Sequence, residues 1–145
     1  RALLAAERPP PAPPGTAHYV GIENCRACHQ EAVAVWQQTP HAHAYRTIED
    51  AGKEANLDCV GCHVTGYRQP GGSTAAHNEG LRDVQCEVCH GPGSRHAEAR
   101  GHETEPRLVR APEATVCLAC HTPEHSDRFD FRAFRARVLG PGHGR

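Results

Sequence analysis

The chain has 145 residues, enough by length for one domain, and a formal net charge of −1. Three Phe, three Tyr and one Trp in a sequence that is 38% hydrophobic are thin material for a self-sufficient apolar core. No apolar run approaches membrane-spanning length, nothing in the charge pattern points to a nucleic acid, and the absence of methionine predicts a processed chain whose signal peptide has been removed.

Residues 1–17 read as a Pro-rich arm and residues 18–145 as the domain proper. The arm sequence RALLAAERPPPAPPGT favours extended polyproline II, which has no internal hydrogen bonds and needs an outside surface to fix it. That surface is either the chain's own domain or a neighbouring subunit. His18 ends the arm.

Cys25-Arg26-Ala27-Cys28-His29 follows, and C-x-x-C-H is the pattern of covalent c-type haem attachment. Cysteines at i and i+3 share one helical turn and form thioethers to the ring, and the next histidine ligates iron. A helix over about 26–38 is predicted next, with Val33 and Trp36 on one face and Pro40 as its stop. HAHAYRTIEDAGK, 41–53, predicts a second short helix with Tyr45 and Ile48 inward and Gly52 ending it. His41 and His43 point to different sides of it.

Cys59-Cys62-His63 is the second unit, and the turn-rich stretch 66–80 after it carries His77. Cys86-Cys89-His90 is the third. Gly91-Pro92-Gly93 ends its turn at once, so His96 leaves in a new direction and can reach a neighbouring iron rather than the one above His90. Residues 97–113 are charged and aperiodic, contain His102, and read as loop. Cys117-Cys120-His121 is the fourth unit. His125 lies one turn beyond His121 on a predicted continuation of the same helix, below its own ring. A final helix is predicted with Ser126 as N-cap, Phe131, Phe134 and Val138 at helical spacing, and Gly140-Pro141 as its end. His143 sits just past it.

The four units use all eight cysteines and leave none for a disulfide. Paired C-x-x-C motifs also build Cys₄ zinc sites. With 12 histidines in 145 residues, however, a chance histidine after all four motifs has a probability of roughly 5 in 100,000. The reading is therefore four c-type haems, which supply the apolar mass the composition lacks. The fold class is mainly α with extensive coil, a small multihaem c-type cytochrome. Without methionine, axial pairs are His/His or an iron stays five-coordinate, and low potentials are expected. Fifteen of the sixteen basic residues are arginine, which suits bidentate pairing with haem propionates, although a GC-rich genome gives the same bias. Eight further histidines (His18, His41, His43, His77, His96, His102, His125 and His143) are available, and full bis-His ligation needs four of them.

Tyr19-Val20-Gly21 before the first unit, Thr39-Pro40-His41-Ala42-His43-Ala44, CVGCHVTGY with Pro70-Gly71-Gly72, and VQCEVCHGPG together resemble the tetrahaem cytochrome c-554 family over residues 19–143. The resemblance implies a mostly helical scaffold of closely stacked haems that carries electrons outside the cytoplasm. Carried over residue by residue, His41 would ligate the His121 haem, His96 the His29 haem and His143 the His90 haem, with His102 a weaker competitor for the role of His96. In the family's best-known carrier the second iron is five-coordinate. This chain offers His77 in cis, or His18 from the arm, for the His63 iron. Short tetrahaem proteins that resemble this one also form extracellular filaments in which one subunit's histidine ligates the next subunit's haem.

The expected function is electron transfer through four closely spaced bis-His haems. The chain then acts either as a filament subunit, a homopolymer or homo-oligomer joined through the arm, or as a discrete periplasmic carrier. Its partners are redox proteins or extracellular acceptors. The alternative class is an enzyme with an open second iron acting on a small nitrogen species or peroxide. The histidine surplus and the lack of an acid/base constellation beside His63 speak against it.

Overall fold

The structure is a computed structural model that describes residues 2–100, 102 and 108–143. Among these residues the regular structure is helical. The β pairing amounts to two isolated bridges, Val64 with Arg82 and Tyr67 with Ser73. The helices are α1 (Ala2–Ala6), α2 (Ile22–Arg26), α3 (Gln30–Trp36), α4 (Ala44–Asp50), α5 (Leu57–His63), α6 (Cys86–His90), α7 (Ser94–Ala99), α8 (Ala114–Leu118) and α9 (Phe131–Val138). None of the nine exceeds eight residues, and isolated helices this short are unstable in water. Tertiary contacts must hold them, and among the described residues no helix is long and apolar enough to cross a membrane.

The mainly α class with extensive coil agrees with the sequence. The boundaries differ in instructive places. The helix expected over about 26–38 is two helices, α2 and α3. The Cys28–His29 junction breaks it because His29 leaves the helical path at φ −116°, ψ 46°, while its N–H still bonds the Cys25 carbonyl at 2.9 Å. Pro40 does not simply stop a helix. It opens a 3₁₀ turn, Pro40–His43, that feeds α4, since a proline at the first position lacks only an N–H that would be unpaired anyway. The region expected as loop over 97–113 begins inside α7, which ends at Ala99. Residues 101 and 103–107 of it lie outside the described residues.

The apolar core is as small as the composition requires. Tyr45 and Ile48 of α4 pack on Val60 of α5 and on Val64, with Cys59, Tyr67 and Ala75 at the edge. Buried polar residues, Gln85 and Thr65 among them, complete the interior and are hydrogen-bonded as burial demands. Gln85 accepts from the Ile22 N–H at 2.7 Å and donates to the Gly80 and Arg82 carbonyls. Thr65 donates to the Asp83 carbonyl, and Trp36 Nε1 donates to Val84 at 2.8 Å. The stretch 80–87 therefore works as a spine, with the first unit on one side and α4–α5 on the other. Gly21 enters this junction at φ 80°, with a Cβ position only 2.5 Å from the Gly80 carbonyl oxygen. Only glycine fits there.

The arm departs from extended polyproline II at its start, where Ala2–Ala6 form a helical turn. The remainder lies along the chain's own stretch 68–77. Glu7 pairs with Arg68 at 2.7 Å, the Pro10 carbonyl accepts from the Gly71 N–H, and Thr74 donates to the Glu7 carbonyl. Of the two surfaces the sequence left open, the arm occupies the one on its own domain.

Candidate functional site

Each of the four Cys-x-x-Cys-His units sits at the end of a short helix or just beyond it, so its histidine is presented where the backbone turns away. In three of them the imidazole Nδ1 has an oxygen partner. His63 bonds the Ala44 carbonyl, His90 the Val109 carbonyl at 2.6 Å, and His121 the Ser126 hydroxyl at 3.0 Å. A carbonyl partner forces the proton onto Nδ1, which leaves the Nε2 lone pair free and fixes the ring's direction. Ser126, expected as the N-cap of the last helix, supports His121 instead. The N-cap is Asp130, whose carboxylate accepts from the Ala133 N–H at 2.8 Å.

Two histidine pairs expected from the resemblance are brought face to face. The His29 and His96 ring centroids are 6.1 Å apart with their planes 23° apart, and those of His41 and His121 are 6.2 Å apart at 52°. Imidazoles in direct contact would sit closer. A separation near 6 Å would leave room for one metal ion, with a metal–nitrogen bond of about 2 Å to each ring. His96 reaches its place because Gly91, at φ 85°, ends α6 and lets α7 start in a new direction.

His143 comes into the electrostatic range of His90 and His29. Burial first, then those two rings, hold it below the ordinary histidine range. Its buried Nδ1 has no hydrogen-bond partner. Burial, then His121, likewise lowers His41, and burial lowers His121. Neutral imidazole is the form that binds metal, so these shifts favour ligation.

Neither histidine offered for the second unit is brought to His63. Among the described residues, which include every histidine, no other imidazole is in ring contact with it. The His18 backbone is fixed on Ser94, whose hydroxyl accepts from its N–H at 3.0 Å and whose own N–H bonds its carbonyl. The His77 ring is held by the arm, through Arg8 and the Ala5 carbonyl. His43 bonds the Gln37 carbonyl, while His102 and His125 are exposed. His125 is not on a continuation of the His121 helix. α8 ends at Leu118, and a turn from Thr122 carries the chain away.

The cysteines are unpaired and cluster between units. Cys25 lies against Cys86, a contact that with burial pushes the Cys25 thiol up. Burial and the adjacent Cys62 push Cys120 up to about 12. Cys89 feels Cys117, and α6 packs on α8. The sulfurs thus place the first unit beside the third, the third beside the fourth, and the fourth beside the second. Among the described residues no three side chains converge to hold a bare metal ion, and two pairs of histidines oppose each other instead. Phe129, stacked on His121 at 4.6 Å, and Phe134, edge-on at 5.4 Å, wall one slot. The sequence reading placed Phe134 but missed Phe129, which lies outside the helical stripe.

The protein-family model described as Cytochrome c554 and c-prime matches residues 24–91. Cytochrome c-554 of Nitrosomonas europaea is 37% identical over 93 residues, which is 53% of this chain but 40% of that relative's length. The solved structure of the reduced state of cytochrome c554 from Nitrosomonas europaea superposes with a TM-score of 0.61 at 26% identity, covering 88% of this chain and 85% of that one.

Proposed function

We propose that this chain, a small four-haem c-type cytochrome that resembles the cytochrome c554 family, is an electron carrier. The observation that supports this most is the pair of opposed imidazole couples, His29/His96 and His41/His121, at the separation of two axial ligands. When bound, each haem supplies a one-electron iron couple. The chain supplies everything else. Cys25 and Cys28, Cys59 and Cys62, Cys86 and Cys89, and Cys117 and Cys120 anchor the four rings. His29 with His96, His121 with His41, and His90 with His143 hold three irons. His63 holds the second, whose other side receives no imidazole among the described residues and is open in this reading.

The contacts between sulfurs give the units the order first, third, fourth, second. An electron entering at either end therefore meets adjacent centres throughout. The likeness to cytochrome c-554 supports a carrier outside the cytoplasm, most simply periplasmic, that passes electrons between redox proteins, and the arm seated on its own chain supports a discrete one. It gives no support to an arm-joined homopolymer. A reductive titration of the purified holoprotein tests the proposal. Four haems per chain, all reversibly reduced, support it. Fewer than four, or centres that do not exchange electrons with small redox mediators, overturn it.

The open side of His63 favours one second reading, in which that iron binds a small nitrogen species. A spectral change confined to one haem when nitric oxide is added would support it, and no change would exclude it.

A further inference from the structure

Among the described residues Glu87, inside the third unit, is the only buried carboxylate. Its oxygens accept from the Val20 N–H at 3.0 Å, the Gly21 N–H at 2.8 Å and the Gly93 N–H at 2.7 Å. Every partner is a backbone amide, and Glu87 forms no ion pair among the described residues. Because both oxygens act as acceptors, a proton on either would displace a donor, so the group is a carboxylate. Amide dipoles solvate the charge but do not cancel it. A full negative charge therefore remains buried where Tyr19-Val20-Gly21, which leads into the first unit, meets the Gly91-Pro92-Gly93 turn that leaves the third.

The field of that charge reaches both units: it adds to the Cys86 contact and the burial that raise the Cys25 thiol, opposes the lowering of the Cys86 thiol by its Cys25 contact, and adds to the burial that raises the Tyr19 hydroxyl. Surface charges at this range are screened by water and salt, but a buried one is screened far less. An iron gains one positive charge on oxidation, so a fixed negative charge beside it favours the oxidised form.

We infer that Glu87 is a potential-setting residue that lowers the reduction potentials of the first and third haems through its buried, unpaired charge. This rests on the four-haem reading above. Its hydrogen bonds also strap two segments together, so the test must separate charge from strap.

The measurement is a spectroelectrochemical titration of holoprotein, comparing wild type with Glu87→Gln, Glu87→Asp and the exposed neighbour control Glu23→Gln. Glu87→Gln should keep four haems and shift two of the four couples toward reduction by about tenfold, which is about 59 mV for a one-electron couple. Glu23→Gln should move none. Glu87→Asp weakens the strap but keeps the charge, so its four potentials should stay with wild type even if it melts earlier. If Glu87→Gln fails to assemble, the Asp variant decides alone, and a positive shift in it despite the retained charge overturns the inference. Four bound haems with unmoved potentials in Glu87→Gln also overturn it. A wild type with fewer than four haems would instead fail the function proposed above.

Discussion

The imidazole rings of His29 and His96 face each other at 6.1 Å although 67 positions separate them in the chain. A gap of that size would admit one metal ion with a bond to each side. The same spacing recurs for His41 and His121. Two independent pairs at one separation point to a common occupant.

Replacing His96, His41 or His143 with alanine should each convert one low-spin haem to high-spin. The ligand bond joins distant segments much as a cross-link does, so each variant should also lose on the order of 2–4 kcal/mol of stability. The oxidised visible spectrum and a thermal melt check both effects. His125→Ala should change neither, because that side chain is exposed and carried away by the turn after His121.

Gly21→Ala should destabilise the junction of the first and third units. The backbone is at φ 80° and the new methyl would stand 2.5 Å from the Gly80 carbonyl oxygen. Left-handed strain alone costs about 1–3 kcal/mol, and relieving the clash would also pull the Gly21 N–H from Glu87. Chemical denaturation of the holoprotein should show the loss. Gly15→Ala, where φ is 76° but nothing lies within 4 Å, should cost less.

How much of this was legible in the sequence follows from the range over which each signal acts. The attachment units are local patterns, and so are Tyr45 and Ile48 on the inward face of α4, which are 5% exposed. The glycine turn after His90 correctly predicted a change of direction, but only the resemblance named a destination. Chain-distant contacts had no local trace. Ser126 has the composition of a cap yet supports His121, and Asp130 takes the capping role. The helix break at His29 was hidden because the residues on both sides of it favour helix, and the demand of the site overrides that preference. His77 was an attractive candidate by position, but the arm that covers it is 69 residues away.

Asp130→Ala removes the side-chain acceptor at the start of α9 and should cost about 1 kcal/mol. Since α9 delivers His143 to its place, the first turn should fray. Melting temperature, read together with the third haem's spectrum, tests this. A Ser replacement should recover most of the loss.

Deleting residues 1–10 removes Glu7, Arg8 and the Pro10 carbonyl from the stretch 68–77. These contacts are largely exposed, and surface ion pairs contribute about 0–1 kcal/mol. The truncated protein should therefore keep its haem spectrum and lose little stability. It should elute at the same size as the intact chain. A change from assemblies to monomers on truncation would restore the arm-joined filament.

Electron paramagnetic resonance of the oxidised holoprotein, with the haem count per chain measured on the same sample, tests the central arrangement most directly. The account predicts four haems, three low-spin with two imidazole ligands and one high-spin at His63. His29/His96, His121/His41 and His90/His143 should each lose a low-spin signal when either member is replaced. Four low-spin haems, or low-spin signals that survive the loss of both His96 and His41, would contradict it.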